Sequence, residues 1–149
     1  MGISQAGLAD MLGVTQPAVS AWEAGTRQPS GEAAAKLERI AMAFDSQPIV
    51  AGEFRGRPIE LPKDRWEPIV TPDRLIRLPN HIDWTPHRGP WDLRDPVQRA
   101  GAYAQVLDEG TVADIQIWID PDALVELWPD VPVARHMRRP VADLIVRLR

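Results

Sequence analysis

Four side chains near the start of the chain have the chemistry to contact the edges of base pairs. Gln16, Pro17, Ser20 and Ala21 fall on the outer side of a short predicted helix, whereas Val19 faces inward. A glutamine side chain offers a donor and an acceptor together, which suits the N6 and N7 atoms of adenine. A helix whose outer side carries small and amide side chains has the shape that the major groove of DNA admits.

Two predicted helices joined by a tight turn would hold this surface in place. Ser4 is at an N-cap position for a first helix over residues 4–12, and Gly13 can end that helix in a left-handed conformation. Thr15 would cap the second helix. Pro17 lies in its first turn, where a missing N–H costs nothing. The pattern therefore predicts a helix-turn-helix pair.

A set of residues at fixed spacing runs through this pair and the turn that follows it. Its members are Ser4, Gln5, Leu8, Ala9, Leu12, Gly13, Val14, Val19, Ser20, Trp22, Glu23, Gly25 and Pro29. They resemble the Cro/repressor-type helix-turn-helix domain, the xenobiotic-response-element (XRE) family, over residues 1 to about 45. The resemblance implies binding of double-stranded DNA by a homodimer on a palindromic operator. The alternative is a helical hairpin that only packs on its own domain.

The resemblance also implies roles for individual residues. Gln5, Thr15 and Arg27 would contact backbone phosphates, and Gln5 would also brace Gln16. The residues that the resemblance places against base edges are Gln16, Pro17, Ser20 and Ala21.

The segment departs from the family pattern in two ways. The family has a full helix before Ser4, whereas only residues 1–3 precede it here. We expect a late start or a truncation; completion of the domain by another chain is the alternative. Residues 1–46 also carry three cations against five acids, a net charge of −2. Because cations facing phosphates supply much of the affinity for DNA, dimerisation or further basic residues must help.

Length and composition bound the class of protein. The 149 residues allow one ordinary domain or two small ones, and 44% hydrophobic with 26% charged residues is typical of a soluble globular protein. Without cysteine the chain can form neither a disulfide nor a thiolate zinc site. No apolar run approaches the ~20 residues of a membrane span, and no secretory signal is evident. We therefore expect a cytoplasmic protein without membrane contact.

A third helix is predicted to complete the first domain, which we place at residues 1–46. It would run over residues 30–44 and bury a stripe at helical spacing, closed by Phe44. The stripe consists of Ala34, Leu37, Ile40 and Ala41.

Proline sets the next part of the chain apart as a Pro/Trp-rich arm or linker over residues 47–95. Nine of the fifteen prolines lie between residues 48 and 96, too close together for long helices. Three tryptophans indicate that the arm is ordered by packing, either on the chain's own C-terminal helices or on a partner protein. Short strands are expected at residues 49–51, 59–61, 69–70 and 75–78.

Residues 96–149 are predicted to form a small helical domain for partner binding or dimerisation. Asp95, Thr111 and Asp120 are at N-cap positions, and Thr111 with Asp114 forms a capping box. The expected helices cover residues 95–109, 111–119, 123–128, 133–139 and 141–148. The predicted fold class is mainly α: a helix-turn-helix bundle lacking most of its first helix, a Pro-rich arm with short strands, and a C-terminal small helical domain.

No arrangement of residues favours catalysis, a metal or a cofactor. His81, Asp83 and His87 lie close together, but Pro86 interrupts the segment, so we expect surface or structural histidines. The chain has no Gly-x-Ser-x-Gly elbow and no glycine-rich phosphate loop after a strand. We expect a protein that is not an enzyme.

The latter half carries a second resemblance. Leu-Pro-Asn-His-Ile-Asp-Trp at 78–84, Trp-Asp-Leu at 91–93 and the run at 103–111 look like the C-terminal region attached to helix-turn-helix regulators of actinobacteria. Some of those regulators are thought to be antitoxins, so this resemblance implies a cognate toxin as a partner.

The predicted function is a DNA-binding transcription regulator, a repressor of its own operon that also serves as an antitoxin if such a toxin exists. One alternative is a protein-interaction module that binds DNA weakly or not at all. The other is a small-molecule-sensing regulator with Trp84, Trp91, Trp118 and Trp128 around a pocket.

Overall fold

The computed structural model of the chain describes residues 3–85 and 89–149, and its fold is mainly α-helical. The helices are α1 (Gln5–Leu12), α2 (Gln16–Glu23), α3 (Gly31–Asp45), α4 (Pro96–Glu109), α5 (Val112–Trp118), α6 (Pro121–Leu127) and α7 (Arg138–Leu148). The strands are β1 (Pro48–Phe54), β2 (Arg57–Pro62), β3 (Leu75–Ile76) and β4 (Trp91–Asp92). This order confirms the predicted fold class.

Local signals place α1 and α2 where the sequence predicts them. The Ser4 hydroxyl accepts from the Gly7 N–H at 3.0 Å, and the Thr15 hydroxyl accepts from the Ala18 N–H at 3.3 Å. Each bond satisfies one of the N–H groups that a helix leaves without a partner in its first turn. Gly13 ends α1 with a φ of 69°, a left-handed conformation that glycine adopts without a Cβ clash.

The buried face of α3 differs from the predicted stripe. Ile40 is buried as expected, but Ala43 is buried in place of Ala41, which is exposed. Phe44, expected to close the stripe, is 43% exposed. The helix packs on both α1 and α5. Its buried side is therefore set by these two neighbours and not by the spacing of its apolar residues alone.

The first part of the arm is a β-hairpin that is longer than predicted. β1 and β2 pair antiparallel from Pro48 opposite Pro62 to Phe54 opposite Arg57, with an irregularity between Val50 and Gly52. The turn needs only residues 55–56, since Arg55 and Gly56 both have positive φ values, 51° and 78°. Turns of this kind match the twist of the flanking strands, so the pairing continues to the turn itself.

The predicted strand at residues 69–70 is wrong. Ile69 and Val70 are buried but lie in a bend, where the Val70 N–H donates to the Ile117 carbonyl of α5 at 3.1 Å. The strand predicted at 75–78 is confirmed only at Leu75–Ile76. Its partner β4 was not predicted, because a strand of two residues has no periodicity to recognise.

The arm packs on the chain's own C-terminal helices, the first of the two alternatives for it. The Trp66 indole donates to the Ile119 carbonyl at 2.9 Å, and Arg65 donates to the Leu148 carbonyl at 2.8 Å while it also pairs with Asp122. In the reverse direction, Arg147 of α7 donates to the carbonyl of Pro62 at 3.1 Å. The Trp66 bond is buried and the two arginine bonds are part-buried, and together they fix the arm against the helices.

The C-terminal helices begin at the predicted caps. Asp95 accepts from the Val97 N–H and Asp120 from the Asp122 N–H, and Thr111 and Asp114 form the expected capping box. The last two predicted helices are replaced by a 3₁₀ turn at Arg135–Met137 and the single helix α7. Pro140 does not interrupt α7 because it lies in the first turn, where its missing N–H has no helical partner to lose.

One hydrophobic core connects these elements. Leu12 of α1, Ile40 of α3, Leu61 of β2 and Ile117 of α5 belong to the same buried cluster. The division of the chain at residues 46 and 95 stays a prediction. Within the described residues, no helix combines the length and apolarity needed to cross a membrane.

Candidate nucleic-acid interface

The outer side of α2 is open to solvent. Thr15, Gln16, Pro17 and Ser20 are exposed and Ala21 is half-buried, whereas Val19 on the opposite side is completely buried. No described segment of the arm or of the C-terminal helices buries these four exposed side chains. The surface that the sequence predicts to face base edges is therefore accessible to a DNA groove.

Backbone bonds and a single buried anchor fix the angle between α1 and α2. The Val14 N–H donates back to the Ala9 carbonyl at 3.0 Å and the Gly13 N–H to the Asp10 carbonyl at 3.3 Å, which closes the turn. Val19 then holds α2 against the core. The exposed outer residues of α2 carry none of this packing.

Gln5 connects the two helices at their far ends. Its side-chain amide donates to the Glu23 carboxylate at 2.6 Å, so the start of α1 is tied to the end of α2. The resemblance implied that Gln5 braces Gln16, which lies at the opposite end of α2. The observed partner thus differs from the implied one, although Gln5 still stabilises the pair.

Arg27 lies in the loop after α2 and is exposed. The Ala21 carbonyl accepts from the N–H groups of Thr26 and Arg27 at 3.0 and 3.3 Å, and also from the Thr26 hydroxyl at 3.1 Å. These bonds order the loop, so Arg27 is presented from a defined position next to the outer side of α2.

A groove of about 1050 Å³ begins at the first turn of α2 and extends towards the arm and α5. We call it the interface groove; its polar lining is Ser4, Asp10 and Gln16 from the helix-turn-helix, Arg74, Arg77, Asn80 and His81 from the arm, and Thr111 and Asp114 from the start of α5. The sequence did not single out Arg74 and Arg77, although the shortage of cations in residues 1–46 indicated that dimerisation or further basic residues must help.

The acidic groups of the interface groove accept hydrogen bonds from the protein itself. Asp114 accepts from the Thr111 N–H at 2.8 Å and the Thr111 hydroxyl at 3.0 Å, and its Oδ2 lies 2.9 Å from Nε2 of His81. Asp10 accepts from the backbone N–H of Arg77 at 2.8 Å. These contacts identify both carboxylates as structural groups that hold the arm on the helices.

The histidine cluster considered in the sequence does not assemble within the part of the chain that the structure describes. His81 pairs with Asp114 of α5, and Asp83 accepts from the Trp91 indole at 3.1 Å. His87 and Pro86 lie outside the described residues. Among residues 3–85 and 89–149, no three metal-ligating side chains converge.

The four tryptophans proposed to surround a pocket lie in different environments. Trp118 lines the interface groove, Trp84 is 63% exposed, and Trp91 lies against Gly101 of α4. Trp128 is covered by the guanidinium of Arg138, whose Cζ is 4.5 Å from the ring centroid. The four rings thus have different surroundings, and the alternative that places them around one pocket gains no support from the interface groove, which, of the four, Trp118 lines.

Comparison with known proteins gives one match. Residues 1–40 match a family model described as helix-turn-helix, and neither a curated protein nor a solved structure matches the chain significantly. The matched segment contains α1, α2 and most of α3, together with every residue expected to contact DNA. Members of this family are DNA-binding transcription regulators and generally not enzymes. The match supports an XRE-type helix-turn-helix domain at the N-terminus of the chain.

Proposed function

We propose that this protein is a sequence-specific repressor that binds a palindromic operator as a homodimer and regulates its own operon in the cytoplasm. The observation that carries the proposal is the open outer side of α2, which begins at the Thr15 cap and is not packed against any described later segment. An exposed helix of this size, held across a tight turn by a partner helix, fits the major groove.

Within this proposal Gln16 reads an adenine through its amide, and Ser20 contacts a neighbouring base. Pro17 and Ala21 present small apolar surfaces next to them. Gln5, Thr15 and Arg27 hold the helix in register through backbone phosphates, which fix position without carrying sequence information. Thr15 and Arg27 are exposed and Gln5 is half-buried, which is compatible with these roles.

Dimerisation is proposed because one copy has little electrostatic attraction for DNA. Residues 1–46 have a net charge of −2, and each phosphate contact contributes only part of the affinity. Two copies on a palindrome double the number of contacts, and a dimer bound across a promoter blocks transcription.

A finer proposal concerns the latter half. We propose that the arm and the C-terminal helices hold a toxin protein, as the resemblance of that half implies. Trp84 at 63% exposure and Val97 at 80% exposure are large apolar side chains there that a partner could cover.

A binding selection from duplexes with a randomised central segment tests the main proposal. The unaltered protein should enrich a palindrome, measured afterwards by fluorescence anisotropy at several salt concentrations. Gln16→Ala should weaken binding to that site by roughly 5- to 150-fold while the salt dependence stays the same, since a base contact is lost.

Arg27→Ala is the complementary variant, and Gln28→Ala is the matched control for an exposed amide in the same loop. Arg27→Ala should weaken binding to all duplexes and reduce the slope of log K against log salt by about 1, and Gln28→Ala should change neither quantity. If Gln16→Ala binds the selected duplex normally while Arg27→Ala binds it weakly, α2 does not read bases. If no salt-dependent duplex binding is found, the protein-interaction module replaces the regulator.

A further inference from the structure

The helix-turn-helix segment has very few cations with which to hold phosphates. Of the three in residues 1–46, Lys36 pairs with Glu32 at 3.3 Å and its side chain is only 14% exposed. Arg39 donates to the carbonyl of Pro68 at 3.5 Å and is half-buried. Arg27 alone among them is exposed. Phosphate contacts from other parts of the chain would add the affinity that this segment lacks.

The arm places two arginines directly beside the turn between α1 and α2. Arg74 donates through Nη2 to the carbonyl of Met11 at 3.0 Å. Its guanidinium carbon lies 3.8 Å from the position that a Cβ on Gly13 would occupy. Three residues later, the backbone N–H of Arg77 donates to the Asp10 carboxylate at 2.8 Å. These bonds fix residues 74–77 of the arm against the C-terminal end of α1, which is followed by the turn that leads to Thr15.

Both arginines share a groove with Gln16 at the start of α2. Arg74, Arg77 and Gln16 line the same interface groove. Arg77 is exposed, and its bond to Asp10 is made by the backbone N–H. The backbone of Arg77 is therefore held in place by a bond that does not involve the guanidinium. The carboxylates nearby, Asp10 and Asp114, already accept hydrogen bonds from the protein.

We propose that Arg77, with Arg74 beside it, contacts the phosphate backbone that flanks the bases read by α2. The arm then belongs to the DNA-binding surface and supplies the cations that the helix-turn-helix segment lacks. The proposal rests on DNA binding by α2. A guanidinium suits this role because it is always charged and presents its donors as a planar fork to phosphate oxygens.

Arg77→Ala is the primary test, measured by anisotropy on the duplex enriched in the selection above. It should weaken binding by about 3- to 10-fold and lower the salt slope by about 1, with no change in the preferred sequence. Arg77→Lys should restore the slope because it restores the charge. Arg77→Glu should weaken binding more than Arg77→Ala, since it adds repulsion.

Arg149→Ala, which removes an exposed arginine at the end of α7, is the matched control and should leave affinity and slope unchanged. Arg74→Ala also removes the bond to Met11, so its thermal unfolding is recorded beside its binding. A normal slope and affinity for Arg77→Ala, in a protein that otherwise binds DNA, overturns this inference but not the proposed function. A complete lack of duplex binding by the unaltered protein overturns both.

Discussion

Helices α2 and α5 begin in the same way and are used in opposite ways. Thr15 and Thr111 cap them through hydroxyl oxygens that accept from backbone N–H groups at 3.3 and 3.2 Å. α2 has eight residues and buries only Val19, whereas α5 has seven and buries six, Val112, Ala113, Asp114, Ile115, Ile117 and Trp118.

The difference separates the helix that stabilises the core from the helix that we propose contacts DNA. Contacts from α3, α4 and β2 cover α5, so that helix forms the centre of the core. α2 contacts mainly α1, and its outer residues remain open. Elements with few buried apolar contacts open more readily than the core, so α2 should be less stable than α5 towards local opening.

The largest effect is expected from a truncation in α5. Ile117 is completely buried, so Ile117→Ala should lower the free energy of unfolding by about 2–5 kcal/mol through lost burial and the cavity left behind. Urea denaturation measures this change. Ser20→Ala on the open side of α2 is the control and should stay within about 0.5 kcal/mol of the unaltered protein. Equal decreases in the free energy of unfolding for the two variants would contradict the division into a core helix, α5, and an open helix, α2.

A smaller effect is expected at the turn that precedes α2. Gly13 has a φ of 69°, where an L-residue is strained, so Gly13→Ala should destabilise the protein by about 1–2 kcal/mol. Duplex binding should weaken in parallel because the angle between α1 and α2 changes. Gly89→Ala is the control, since nothing lies within 4 Å of a Cβ added at Gly89. Unchanged melting of Gly13→Ala would show that the turn tolerates a side chain.

The caps provide a third, still smaller test. Removing the hydroxyl in Thr15→Ala should cost about 1 kcal/mol, because the Ala18 N–H loses its acceptor. Thr111→Ala should cost more, since this hydroxyl also donates to Asp114 at 3.0 Å. Ser30→Ala at the start of α3 is the matched control, because Ser30 makes no side-chain cap bond and should change little. Thermal unfolding of the three variants gives the ranking, and a larger loss at Ser30 than at Thr111 would contradict it.

The same caps explain how much of the fold could be predicted. An N-cap depends on residues within three positions, so Ser4, Thr15 and Thr111 predicted the starts of α1, α2 and α5 correctly. The open side of α2 followed from the same local spacing. Ile69 and Val70 were mistaken for a strand because burial gives the same apolar pair in a bend as in a sheet.

Contacts between distant residues could not be predicted in this way. Arg74 reaches Met11 across 63 positions and Arg77 reaches Asp10 across 67. No local pattern specifies these pairings, since they depend on how the arm returns to α1 over the core. The bond from Gln5 to Glu23 is likewise tertiary. The open side of α2 was therefore predictable, whereas the arginines that lie near it required the structure.

Asp108 at the end of α4 gives the smallest expected effect, a change of stability with pH. Burial raises the pKa of the Asp108 carboxyl above its ordinary value of 3.8, although both carboxylate oxygens accept from the Ala134 N–H at 3.0 and 3.1 Å. A raised pKa means that the folded state binds the proton more tightly than the unfolded state. This group therefore contributes stability below pH ~3.8, and the contribution is lost as the pH rises through the folded pKa.

Asp108→Asn should not lose stability as the pH rises, because its amide carries no charge to bury. The amide oxygen can still accept from the Ala134 N–H. Relative to the unaltered protein, its free energy of unfolding should increase as the pH is raised from about 4 to 7, measured by urea denaturation at each pH. Asp92 contributes the opposite slope, since Arg94 lowers the pKa of its exposed carboxyl, but that slope is common to both proteins and cancels in the difference. The free energy of unfolding of Asp108→Ala should depend on pH in the same way as that of Asp108→Asn. It should be lower at every pH, because Asp108→Ala also loses the bond to Ala134. Parallel profiles for the unaltered protein and Asp108→Asn would show that burial of this carboxyl has no energetic consequence.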